Sequence, residues 1–126
     1  MSNHLHLIAG AAEGKKLSDI LRDFKKFSSK AIVKAIQEEN ESRKEWLLNR
    51  FSYAAANYIK TKNYKFWQDG NEAKELHTNA FMEQKLQYIH QNPVIAEIVT
   101  APEHYLYSSA LNYAGQKGLL DVLLLE

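Results

Sequence analysis

The sequence predicts a helix-rich α+β domain. Three stretches carry that prediction. The N-terminal residues alternate, so a strand there sets His4 and His6 on one face and Leu5 and Leu7 on the other. Residues 17–36 repeat apolar side chains in steps of three and four, the period of an amphipathic helix. Met82, Leu86 and Ile89 continue such a stripe in a segment that Pro93 should end, since the residue before a proline is pushed out of the α region.

Taken in order, the opening strand gives way to a turn at Gly10–Gly14. A helix is expected from about Ser18 to Glu38, with Leu17, Ile20, Leu21, Phe24, Phe27, Ala31, Ile32, Ala35 and Ile36 as the stripe facing the sheet. After a charged break, Leu47, Phe51, Ala54, Ala55 and Tyr58 mark a second helix from about Ser42 to Ile59. Residues 63–77 read as loop, with a short strand at Tyr64–Trp67 whose rings pack on the core or stack on bases. Asn79 is placed to cap the next helix, which runs to Asn92. Val94–Val99 reads as a short helix or an extended piece. A turn at Pro102 leads to a short helix from about Ser108, which Gly115 and Gly118 end. Leu119–Leu124 reads as a strand or a partner-facing tail.

At 126 residues the chain is expected to be one domain, residues 1–126, and its 45% hydrophobic content suffices for a core. It has no cysteine, which removes disulfides and thiolate metal sites. No apolar run approaches the roughly 18 residues that would span a bilayer, and no signal-type segment opens the chain, so a cytoplasmic protein without membrane association is the default. The net charge is only +1, but its distribution is uneven. Residues 15–34 carry seven basic side chains against Asp19 and Asp23. Six of them, Lys15, Lys16, Arg22, Lys25, Lys26 and Lys30, are the candidate contacts to a polyanion, against the plainer reading of a solvated helix face.

Two groups carry the chemistry. Tyr88 and Asn92 are four residues apart on a helix, so a phenol and a carboxamide share one face. His4 and His6 supply two imidazoles, and imidazole is a common metal ligand. Two imidazoles and the Asn92 oxygen would hold a divalent cation with positions left open for water or phosphate. His90 is about 200° around the helix from Tyr88 and reads as structural or solvent-facing. His77 and His104 have no ligand-like spacing.

The ordered set Ser2-Asn3-His4-Leu5-His6-Leu7, Phe66-Trp67-Gln68, Tyr88-Ile89-His90-Gln91-Asn92-Pro93, Pro102-Glu103-His104-Tyr105 and Tyr107-Ser108-Ser109 resembles the single-tyrosine HUH transposases, in particular the REP-associated tyrosine transposases. The resemblance covers Met1 to about Tyr113. It implies a ferredoxin-like α/β sandwich with the His-x-His strand inside the sheet. It implies a transposase that cleaves and rejoins single-stranded or hairpin DNA, with Tyr88 as nucleophile and a 5′-phosphotyrosine intermediate. It implies Mg²⁺ or Mn²⁺ on His4, His6 and Asn92, and no nucleotide cofactor. A homodimer and a monomer are both known modes in the family, and the sequence does not choose. The family's strand and helix before the His-x-His strand have no counterpart ahead of Met1, so the chain is expected to lack the N-terminal part of the domain. The segment 38–60 receives no role from the resemblance. Three other readings stand beside it: a DNA-binding remnant without catalysis, a helical interaction domain, and a small metal hydrolase in which water replaces Tyr88.

Overall fold

A computed structural model describes residues 3–57 and 63–125. Among the described residues, four α-helices follow one another: α1 (Leu17–Glu38), α2 (Lys44–Ala56), α3 (Asn79–Ile95) and α4 (Ala110–Tyr113), with a 3₁₀ turn at Pro102–His104 between the last two. No strand occurs among the described residues, which overturns the expected α+β class and, with it, the ferredoxin-like sandwich. Residues 4–9, 64–66 and 121–124 carry no regular structure where strands were expected. The reason is general: alternation specifies which face a strand would bury, but a strand exists only as one member of a hydrogen-bonded ladder. The described residues form two compact units, one of Met1–Ile8 with Ala73–Glu126 and one of Ala9–Glu72. None of their helices is long and apolar enough to cross a membrane.

In the Ala9–Glu72 unit, α1 matches its expected span to within one residue. Its apolar stripe has no sheet to cover it, and Phe27 is left 76% exposed. The residue α1 does bury is Val33, half a helical turn around from Phe24 and outside the stripe. α1 packs instead on α2, whose buried residue is Ala55. Lys44, the first residue of α2, donates to the Gln37 carbonyl at 2.9 Å, so its ammonium occupies the electronegative C-terminal end of α1. The expected extension of α2 toward Ile59 lies outside the described residues beyond Asn57. An aromatic cluster closes the unit: Phe51 meets Phe66 at 5.4 Å between ring centroids, Phe66 meets Trp67 at 5.1 Å, and Trp67 meets Phe24 at 6.0 Å. The indole N–H of Trp67 donates to Ser28 Oγ at 2.9 Å. Phe66 and Trp67 are therefore packed rings rather than a free stacking surface.

In the other unit, α3 begins one residue earlier than expected. Thr78 is the cap, its hydroxyl accepting from the Phe81 N–H at 3.1 Å. The helix does not stop at Asn92; Pro93 lies inside it. Pro93 forfeits the bond its N–H would have made to the Ile89 carbonyl and its ring crowds that carbonyl, but only Val94 and Ile95 follow it in the helix, so little helix lies beyond any bend. The stop comes at Glu97, which takes φ 58°, the left-handed region. The Glu97 N–H bonds the Val94 carbonyl at 2.9 Å and the Ile98 N–H bonds the Pro93 carbonyl at 2.9 Å, the paired bonds of a Schellman stop. α4 ends the same way, with Gly115 at φ 80° in the left-handed position. Gly115 bears no Cβ and Glu97 does, so the α3 stop is strained where the α4 stop is not. Replacing Glu97 with glycine is expected to raise stability by about 0.5–1 kcal/mol in urea unfolding; a loss would show that the Glu97 side chain stabilises the turn.

The 3₁₀ turn packs against both α3 and α4. Leu86, His90 and Pro93 are the buried residues of α3, and Ala110 that of α4. The tail is pinned to α4: Asn112 Nδ2 donates to the Leu120 carbonyl at 3.0 Å, and the Leu125 N–H donates to the Tyr113 hydroxyl at 2.9 Å. The side chains of Leu120 and Leu123 nevertheless stay 75% and 92% exposed. Burial is thin throughout. The chain exposes 10557 Å², whereas even two independent folded units of half its mass would expose about 8,300 Å² together.

Candidate functional site

The His/Tyr/Asn set lies within one unit, that of Met1–Ile8 with Ala73–Glu126. Although residues 4–6 are not a strand, the two imidazoles stay side by side, with ring centroids 6.3 Å apart and planes 15° from parallel. His6 sets its ring edge-on to the Tyr88 ring at 5.8 Å. Tyr88 is 51% exposed on α3, so its phenol is open to a large substrate. Asn92 follows one turn later on the same face, inside regular helix.

Polar satisfaction singles out the same residues. Among the described residues, the buried side-chain nitrogens and oxygens without a hydrogen-bond partner are His6 Nε2 and Asn92 Nδ2. Leaving such an atom unpaired costs about 1–3 kcal/mol, and an absent ion is one of the standard reasons for it. The carboxamide of Asn92 can turn by 180° to exchange its nitrogen for its oxygen. His4 is oriented by a neighbour, its Nδ1 hydrogen-bonded to Asn3 Oδ1. An amide oxygen there accepts from Nδ1–H, which leaves the lone pair on Nε2, the tautomer a metal ligand requires. His4, His6 and Asn92 thus fit a divalent ion by donor chemistry. The donor set is two imidazoles and a carboxamide; among the described residues no group of three or more His, Cys, Asp or Glu is placed to hold a metal ion.

Lys85 was not anticipated as part of this site. Its ammonium lies 5.9 Å from the Tyr88 ring centroid and 5.2 Å from that of Phe81. The spacing of three residues on a helix is the signal that places it beside the phenol. His90 is turned away from Tyr88, as its angular position requires, and is buried. Its Nε2 meets Ser109 Oγ at 2.9 Å and its ring meets Tyr113 at 5.1 Å. Burial pushes its pKa below the ordinary histidine value, with the Glu83 charge pulling weakly the other way.

The six basic candidates belong to the Ala9–Glu72 unit. Arg22 pairs with Asp19 at 3.2 Å and Asp23 at 3.1 Å, and Lys25 donates to the Gly70 carbonyl at 3.0 Å and the Gln68 carbonyl at 3.5 Å. Lys25 thereby holds the loop after Trp67. Lys15, Lys16, Lys26 and Lys30 are exposed and form no ion pair among the described residues. Comparison of the chain with protein-family models, with curated proteins and with solved structures finds no match.

Proposed function

We propose that the chain acts on single-stranded DNA by metal-dependent nicking and strand transfer, as a transposase of the single-tyrosine HUH kind would. The observation that carries this reading is the coincidence at His6 and Asn92. Among the described residues, the two buried side-chain atoms left unpaired belong to two of the three residues assigned as ligands, and the His6 ring rests on the assigned nucleophile.

In this mechanism the Tyr88 oxygen attacks the phosphorus of a phosphodiester. The bond from phosphorus to the 3′ oxygen breaks, and the 5′ phosphate stays as an ester on Tyr88. The phenol proton is given up to solvent, and the departing 3′ oxygen takes one up. His4, His6 and Asn92 would hold Mg²⁺ or Mn²⁺, which when bound supplies Lewis-acid polarisation of the phosphate. Lys85 places a positive charge beside the phenol, where a phosphate must approach. Attack of the freed 3′ hydroxyl on the phosphotyrosine reverses the step, so the bond is conserved and no nucleotide is consumed. Lys15, Lys16, Lys26 and Lys30 supply further phosphate contacts.

The test is a covalent-adduct assay. Labelled single-stranded DNA with a short hairpin is mixed with the protein and Mn²⁺, denatured, and examined for a slower protein band. An adduct that requires metal supports the reading. Metal binding has its own readout: Mn²⁺ at about a hundredfold above its Kd should stabilise the protein by about 2.7 kcal/mol in urea unfolding, and His6→Ala should abolish that gain. A gain unaffected by His6→Ala places the ion elsewhere. The absence of any strand among the described residues favours a second reading, a DNA-binding chain without catalysis. That protein would bind in a salt-dependent way and form no adduct.

A further inference from the structure

The segment 38–60, to which the resemblance gives no role, contains the most distinctive surface of the Ala9–Glu72 unit. Trp46, Arg50 and Tyr53 stand at positions i, i+4 and i+7 of α2, on one helix face. Trp46 is 56% exposed and Tyr53 is 75% exposed. The Arg50 guanidinium lies over the Trp46 ring, 5.5 Å from its centroid. With Asn49 and Ala54 these residues line an open recess of about 530 Å³.

This face differs from the bare stripe on α1. Phe27 is an apolar ring among lysines and serines, uncovered because no sheet packs on it. The α2 face is built from rings with polar atoms and a guanidinium already stacked on one of them, while Phe51 and Ala55 turn to the packed side of the same helix. Within α2 from Trp46 to Ala56, Arg50 is the one charged residue in the sequence. Glu45 is the nearest acid on the N-terminal side. Exposed rings interleaved with cations are the chemistry of a single-strand binding surface, in which bases stack and phosphates pair.

We propose that the Trp46–Arg50–Tyr53 face of α2 is a stacking platform for single-stranded DNA. Bases lie on Trp46 and Tyr53, and Arg50 takes the phosphate between them. The rings are seven residues apart, so they are separated by about 10 Å along the helix, the length of about three stacked nucleotides. The proposal rests on the chain acting on single-stranded DNA, but it needs neither the metal nor Tyr88.

The experiment uses the full chain carrying Tyr88→Phe, in EDTA, so that no adduct forms. Binding of a fluorescein-labelled oligodeoxythymidine is followed by anisotropy. Trp46→Ala and Tyr53→Ala should each weaken binding by about five- to a hundredfold, and Trp46→Phe should retain most of it. Tryptophan emission should be quenched by the oligonucleotide in the parent and not in Trp46→Phe, which decides the matter if an alanine variant fails to fold. Dextran sulfate, a polyanion without bases, should not reproduce the quenching. Binding by the parent with both alanine variants within twofold of it overturns the platform and leaves the DNA reading standing. No binding by the parent overturns both. Loss of self-association on Trp46→Ala, with DNA affinity unchanged, assigns the face to a protein partner and overturns the proposal.

Discussion

Tyr88→Phe should yield no covalent DNA adduct while leaving noncovalent binding intact. The substitution removes one oxygen, and that oxygen is the assigned nucleophile. Loss of the attacking atom is expected to lower adduct formation by at least about 10³-fold. The variant is a clean one because the fold has little stake in the hydroxyl. The ring is what meets His6 and Lys85, and phenylalanine keeps the ring. Far-UV circular dichroism should therefore match the parent. Three outcomes are distinguishable on a denaturing gel and a DNA product gel run together. An adduct surviving in the variant removes Tyr88 from the role. DNA cut to free ends by parent and variant alike, without an adduct in either, identifies a hydrolase that uses water. An adduct confined to the parent assigns the nucleophile.

The second large effect is expected at His90. This imidazole links α3 to the Ser109 hydroxyl just before α4 and packs against Tyr113. His90→Ala opens a cavity and leaves the Ser109 hydroxyl without that partner, at a cost of about 2–4 kcal/mol. The pH dependence has a definite sign. The folded pKa lies below the ordinary value of about 6.5, so as pH falls the unfolded chain takes up the proton first. The contribution is complete above the unfolded pKa and is lost as pH falls through that value toward the folded one. The slope is at most about 1.4 kcal/mol per pH unit in that window. Urea unfolding at pH 7.5 and 5.5 should show the parent losing stability relative to His90→Gln, which retains a hydrogen-bonding side chain and does not titrate. Equal losses in the two proteins would remove His90 as the titrating group.

The legible parts of this molecule were those that depend on neighbours in sequence. The three- and four-residue steps from Leu17 to Ile36 specify α1 by themselves, and the spacing of Tyr88 and Asn92 places them on one face of α3. Helix starts were legible to within about two residues, since Thr78 and Asn79, for example, are both competent caps and only the backbone decides between them. Pro93 misled because a proline is disruptive in a helix interior and tolerated near the C-terminal end, where little helix lies beyond the bend it forces. The strands failed for a different reason. His4–Leu7 has the alternation of a strand but no paired segment, and no local pattern reveals whether a pair exists. The same absence explains why Val33, rather than the Phe24 and Phe27 stripe, is the buried side of α1. In the site, helical spacing gave Tyr88 with Asn92, and donor chemistry together with the resemblance, rather than spacing, linked them to His6. The His90–Ser109 contact spans 19 residues and has no local signature. The exposed Trp46 and Tyr53 escaped notice because a ring at helical spacing reads as core until its surroundings are known.

The left-handed stop at Glu97 sets a tolerance on the site. Because α3 runs beyond Asn92, with the Ala96 N–H still bonded to the Asn92 carbonyl at 3.0 Å, Tyr88 and Asn92 are indexed by an unbroken helical screw. Their angular offset is about 40°. Exchanging the identities of Ile89 or Gln91 leaves that offset untouched. Inserting or removing one residue between Tyr88 and Asn92 turns one against the other by about 100°, with every functional atom still present in the chain. The site therefore tolerates spelling changes within the turn and does not tolerate a change in its length.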